Sequence, residues 1–178
     1  MKRLPRLAVA TAIFITAALP FQAHMAFAAS PTKASADLHD ATGKSVGTAT
    51  LKQTGTGLSV HVAAKDLPPG IHGVHIHTVG TCTAPDFQSA GGHWNPTGKK
   101  HGKDNPDGMH QGDLPNLTIG ADGRGSLDYT VPGVSLSGGA VALLDADGAA
   151  IVVHAQADDY HTDPSGNSGG RIACGVLH

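Results

Sequence analysis

The chain has 178 residues and a formal net charge of −2, and all fourteen of its acidic residues are aspartate. An acidic balance argues against a nucleic acid partner, whose phosphates demand a basic footprint. The length suffices for one domain with its own core but hardly for two.

Lys2, Arg3 and Arg6 precede an apolar run of 13 residues from Leu7 to Leu19, and Ala26-Phe27-Ala28 offers an A-x-A cleavage site. The run falls short of the roughly 20 residues that cross a bilayer. Residues 1–28 therefore read as a secretory signal peptide of bacterial appearance rather than a retained anchor. No cysteine lies near the cleavage site to carry a lipid. The mature domain is expected to span residues 29–178, free of the membrane, in the periplasm or, with the same signal, secreted to the medium. Loss of the three leader cations leaves nine basic residues against fourteen acids, a net charge of −5.

After the leader, no helical period of useful length appears. Alternation is clearest in "GLSVHVAA", where Leu58, Val60 and Val62 face one way and Ser59, His61 and Ala63 the other, the pattern of a half-buried strand. In chain order, short runs of strand character are predicted at 34–41, 46–53, 57–64, 74–78, 124–131, 141–144, 150–155 and 171–177, separated by Gly, Pro, Asp and Asn turn signals. Eight short strands predict an all-β sandwich or barrel. With only seven aromatic residues in the chain, its core must rest mainly on Val, Ile, Leu and Ala. Two segments, 79–115 and 156–170, are too long for simple turns, and loops of that length in a compact domain carry function or are disordered. The first concentrates His93, His101, His110 and Asp113, which favours function. Cys82 and Cys174 are the only cysteines. In an exported chain they are expected to pair, the alternative being two buried free thiols.

Seven residues stand out as metal-ligand candidates: His75, His77, His93, His101, His110, Asp113 and His154. His75 and His77 are two apart and so project from one face of a strand. Neutral imidazole suits zinc and copper, and one carboxylate beside histidines is compatible with tetrahedral zinc. Seven candidates are too many for one site. They are enough for two if one ligand is shared or if one position stays open for chemistry. His72 lies on the opposite parity and reads as a structural, hydrogen-bonded histidine. His24 falls in the leader, and His39, His61, His161 and His178 carry no motif and read as surface residues.

"HGVHIH" at 72–77, "GGHWNPTGKKHG" at 91–102, "HQGDLPN" at 110–116, "VVH" at 152–154 and "GRIACGV" at 170–176 together resemble the copper–zinc superoxide dismutase family. The match runs over nearly the whole mature chain, with intervals of 8, 9 and 3 residues from His93 through His101 and His110 to Asp113. The resemblance implies an eight-stranded Greek-key, immunoglobulin-like β-barrel or sandwich with two functional loops. It also implies one copper ion, on His75, His77, His93 and His154, and one zinc ion, on His93, His101, His110 and Asp113, with His93 as the bridge. Asp158 would tie the copper ligand His75 to the zinc ligand His101, and Cys82–Cys174 would be the family disulfide. The implied activity is disproportionation of the superoxide anion by one-electron cycling of copper, with catalytic roles for Arg171, which orients the anion, and His93, which delivers a proton. A monomer or a homodimer would fit. Lys99, Lys100 and Lys103 are candidates for steering the anion, because the second loop lacks the charged residues that do so in intracellular members. The competing reading is a copper or zinc binding or delivery protein on the same scaffold, a role whose members tend to lack copper ligands or the arginine. A purely structural sandwich would need none of the histidines.

Overall fold

A computed structural model describes residues 31–178. The predicted leader, its cleavage site and His24 lie outside the described residues. The fold is all-β, with nine strands: β1 (Lys33–His39), β2 (Ser45–Gln53), β3 (Gly57–Ala64), β4 (Gly70–His72), β5 (Val74–His77), β6 (Leu117–Ile119), β7 (Gly125–Pro132), β8 (Ala150–His154) and β9 (Arg171–Val176). One 3-10 turn, Gln88–Ala90, is the helical content of the described residues.

Local chemistry sets the hairpins. Asp40 ends β1, and its Oδ1 accepts the backbone N–H groups of Thr42 at 2.8 Å and Lys44 at 3.0 Å. This is the turn that a short acceptor side chain favours. Burial alternates along β1, with Ala34, Ala36 and Leu38 inside, and along β3, with Leu58, Val60 and Val62 fully buried as predicted.

Seven strands form one antiparallel sheet in the order β5-β8-β9-β1-β2-β3-β7, and β4 pairs with β6. The β3–β7 pairing skips three intervening strands, which gives the Greek-key connection. The two sheets join at both ends. β6 turns into β7 through Gly120–Arg124, and β4 runs into β5 through Gly73. Together they form a Greek-key barrel whose core includes Leu38, Leu51, Leu58, Ile76, Leu117 and Ile151.

The strand count differs from the eight predicted, for two reasons. β4 and β5 are one strand bent at Gly73, whose N–H donates to the Gln156 carbonyl and whose carbonyl accepts from His154 N–H. The predicted strand at 141–144 is instead part of a compact loop, joined to Ser135 by an isolated bridge at Ala142. Its apolar pattern has another cause: Leu136 and Leu143 both turn into the core. The missing member of the eight is β6, only three residues long.

β5 and β8 are buried at every position. Val74, Ile76, Ile151 and Val153 face the core, so the alternate residues His75, His77, Val152 and His154 lie on the outer face. The two long loops cover that face, and they do so by backbone pairing. Ile76 N–H donates to Gly112 (2.9 Å), Trp94 N–H to Ile76 (2.8 Å) and Gly112 N–H to Trp94 (2.8 Å). Gly112 is required here, because a Cβ would run into the Ile76 carbonyl and the Trp94 backbone. Cys82 and Cys174 form the expected disulfide, which ties the first loop to β9.

Candidate metal centre

The seven predicted ligands converge. β5 supplies His75 and His77, β8 ends on His154, and the first loop contributes His93, His101, His110 and Asp113. His75, His77 and His101 are fully buried, and His110, Asp113 and His154 nearly so.

Second partners determine which nitrogen each ring presents. His77 Nδ1 lies 2.9 Å from the Gly91 carbonyl and His154 Nδ1 lies 3.2 Å from that of Gly169. A carbonyl only accepts, so both rings are protonated at Nδ1 and present the Nε2 lone pair. His75 Nε2 donates to Asp158 Oδ2 at 2.8 Å, which leaves Nδ1. His75 Nδ1, His77 Nε2, His93 Nε2 and His154 Nε2 are buried with no hydrogen-bond partner. These four residues offer ligand atoms within 4.8 Å of one another. Orphaned nitrogens at this depth are costly unless something completes them, and a metal ion fits their chemistry. Burial pushes His75 down to about 3, against the hydrogen bond to Asp158, and His77 to about 2 and His154 to about 4. His93 is lowered mainly by burial as well. All four are therefore neutral imidazoles, the ligating form.

The second group centres on Asp113. Its Oδ1 lies 2.9 Å from His93 Nδ1, 3.1 Å from His101 Nδ1 and 3.1 Å from His110 Nδ1, and the His93 and His110 nitrogens are 3.4 Å apart. Ligands about 2.0 Å from a tetrahedral zinc are separated by about 3.3 Å, so these spacings suit such an ion. His75 also comes within 4.8 Å of His93, His101 and Asp113, but its free Nδ1 is one of the four orphaned nitrogens of the first group, whereas His110 Nδ1 stands 3.1 Å from Asp113 Oδ1 and 3.4 Å from His93 Nδ1, which makes His110 the better fourth ligand. Asp113 Oδ2 accepts the backbone N–H groups of Gly102 at 2.9 Å and His110 at 3.0 Å. Burial would raise its pKa, yet hydrogen bonds to His101, His110 and His93 hold the carboxyl well below the usual carboxylate range. His93 thus belongs to both groups, Nδ1 to one and Nε2 to the other.

Asp158, fully buried as a side chain, spans the two groups by accepting from His75 Nε2 at 2.8 Å and His101 Nε2 at 2.9 Å. These ties fix ring orientation. Burial opposes the charge of Asp158, but the bonds from His101 and His75 hold its carboxyl below the usual range. In Asp158→Asn one of the two rings would meet an amide N–H instead of an oxygen. The substitution is expected to weaken metal binding at both groups by about 10–100-fold, measured by competition with a chelator.

Several supporting residues were not singled out from sequence. Asn116 clamps Asp158, donating to its carbonyl at 2.9 Å and accepting its N–H at 2.8 Å. Tyr160 Oη accepts Asn116 N–H at 2.8 Å. Asp163 accepts His101 N–H at 2.8 Å and Lys100 Nζ at 3.2 Å, joining the two loops. Asn116 does stand inside the "HQGDLPN" motif, whereas Asp163 had no signal beyond its place in the second loop. His72 is structural as expected, its ring nitrogens 2.8 Å from the His154 carbonyl and 2.9 Å from that of Pro68.

The first group opens to solvent through a cleft of about 440 Å³, lined by His77, His93, His154, Asn95, Ser165 and Arg171 among others. Arg171 donates Nη1 to the Phe87 carbonyl at 2.6 Å and Nη2 to that of Gly91 at 2.7 Å. It is the one permanently charged residue in the lining. The steering lysines do not line this cleft. Lys100 pairs with Asp163, and Lys103 pairs with Asp104 and lies 4.2 Å over the Tyr160 ring.

A family model described as copper/zinc superoxide dismutase (SODC) matches residues 45–177. The chain belongs to this family. Among superoxide dismutase relatives, it is similar to the superoxide dismutase-like protein YojM of Bacillus subtilis, with 51% identity over 76% of this chain and 70% of the relative. It is also similar to a Cu-Zn superoxide dismutase of Aquifex aeolicus, with 44% identity over 82% of this chain and 87% of the relative. Of solved structures, a SOD-like protein from Bacillus subtilis superposes with a TM-score of 0.77 at 48% identity, over 81% of this chain and 97% of that one. The Cu/Zn superoxide dismutase from Brucella abortus does so with a TM-score of 0.64 at 31% identity, over 82% and 99%.

Proposed function

We propose that the chain disproportionates superoxide to oxygen and hydrogen peroxide. His75, His77, His93 and His154 would hold copper, and His93, His101, His110 and Asp113 would hold zinc. The observation that carries this reading is the set of four buried, unpartnered imidazole nitrogens, on His75 and on three histidines that line a cleft beside Arg171. Copper bound there would supply one-electron exchange in both directions, and zinc, which has no redox chemistry, would hold the shared ring.

The protein groups account for the remaining requirements of the reaction. Arg171 is charged at every relevant pH, and its guanidinium carries five N–H donors, enough to orient a small anion while two are held by backbone carbonyls. It also supplies local positive charge in a chain that is negative as a whole, and a cleft focuses that charge. His93 is anchored at Nδ1 and free at Nε2. Only while Nε2 is not a ligand could it carry a proton, which would then face the cleft that Arg171 also lines. The sequence leader supports export, with the periplasm as the proposed compartment. No helix among the described residues is long and apolar enough to cross a membrane.

Copper-dependent superoxide loss by the zinc- and copper-loaded mature chain, compared with the zinc-only chain, tests the assignment. Copper uptake without turnover would make the protein a metal carrier, a reading kept in view by the superoxide dismutase-like name of the Bacillus relative. Arg171→Ala is expected to lower turnover at least tenfold while copper stays bound, since the guanidinium acts on the anion and not on the metal. Unchanged turnover would remove Arg171 from the mechanism.

A further inference from the structure

We propose that Phe87 is a positioning residue for Arg171, holding the guanidinium in place through a left-handed backbone anchored against the disulfide. The proposal rests on reading Arg171 as the group that orients the anion.

Phe87 has φ 54 and ψ 22. A bulky residue in that region is uncommon, and such a conformation persists only where the surroundings over-determine it. Here they do. The ring is 2% exposed and packs in a cluster of its own, apart from the main core, with Ala90, Ala150, Val152, Cys174 and Cys82. The Phe87 N–H donates to the Thr83 carbonyl at 3.0 Å. With the ring and the amide both fixed, the carbonyl is held where it accepts Arg171 Nη1 at 2.6 Å as well as Ala90 N–H at 3.1 Å.

The other Arg171 contact, the Gly91 carbonyl, lies just past the same 3-10 turn and also accepts His77 Nδ1–H. Turning Phe87 into an ordinary right-handed or extended conformation would swing its carbonyl away and leave the guanidinium with one acceptor. A side chain as long as arginine, held at one point, samples many rotamers, and the anion would then meet a disordered cation. The aromatic ring buried beside the disulfide thus reaches the cleft through a single backbone oxygen.

An isosteric pair of substitutions separates backbone conformation from apolar bulk. Phe87→Leu and Phe87→Ile keep similar volume in the cluster, but β-branching makes isoleucine far less tolerant of positive φ. Side-chain 15Nε relaxation of Arg171 in the metal-free chain reads the ordering directly. Azide titration of the copper-loaded chain, followed by its visible absorption, reads anion affinity. We expect Phe87→Leu to retain most of the Arg171 ordering. Phe87→Ile should lose it and weaken azide severalfold at unchanged copper content, and that weakening should vanish in an Arg171→Ala background, as it must when one residue acts through another. Arg171 ordering in Phe87→Ile equal to the parent, or azide weakening that persists without Arg171, would overturn the proposal. If Arg171→Ala alone left azide affinity unchanged while the ordering pattern held, the positioning would stand and the anion-orienting reading would fall.

Discussion

Replacing His93 by alanine is expected to strip both metals at once. Its Nδ1 stands 2.9 Å from Asp113 Oδ1 within one donor group, and its Nε2 is an unpartnered member of the other. No other of the seven residues contributes one ring nitrogen to each group. Loss of even a hydrogen-bonded partner of a ligand costs about 10–100-fold in affinity, so loss of the ligand itself should exceed about 100-fold at each site. Asp113→Ala serves as the contrast, since it removes the oxygen on which His93, His101 and His110 converge and should mainly loosen zinc. Metal content after dialysis against a chelator checks both. Copper and zinc retained together in His93→Ala would mean that the two groups share no ligand.

Removing the disulfide, as Cys82→Ser with Cys174→Ser, carries the second large effect. The bond closes a segment with a sequence separation of 92, for which chain entropy gives about 4 to 5 kcal/mol. In a domain of this size such a loss lowers the melting temperature by roughly 10 to 20 °C. Thermal unfolding of the metal-free chain measures it without contribution from bound ions. A drop of only a few degrees would show that the packing of Phe87 and Ala90, with the Arg171 hydrogen bonds to the Phe87 and Gly91 carbonyls, holds the first loop in place without the disulfide.

Seven of the nine strands were legible from sequence, four by alternation and three, β5, β8 and β9, as short apolar runs between turn signals. β1, β2, β3 and β7 have seven to nine residues with a clear inside and outside. β4 and β6, at three residues each, carry no period. The segment 141–144 misled because apolar residues that enter a core from a loop look like those that enter it from a strand. The seven candidate ligands that the fold brings together were legible because their chemistry resides in side-chain type and spacing. What orients them often does not: His77, His154 and Arg171 are held by the carbonyls of Gly91, Gly169 and Phe87, and a backbone oxygen leaves no mark in composition. Of the three lysines proposed from sequence for steering, the fold pairs Lys100 and Lys103 with exposed aspartates outside the cleft, a placement that a charge run does not reveal.

The carboxylate of Asp158 grips one ring from each donor group, and His93 is common to both. An ion bound in one group would therefore further restrain rings that the other group shares or is tied to, and so lower the ordering cost left for a second ion. Such coupling is reciprocal by thermodynamic necessity: whatever factor the first ion adds to the affinity of the second, the second adds to the first. If both groups hold ions as proposed, filling one would favour filling the other, and a zinc titration repeated with and without copper present would read the size of that coupling.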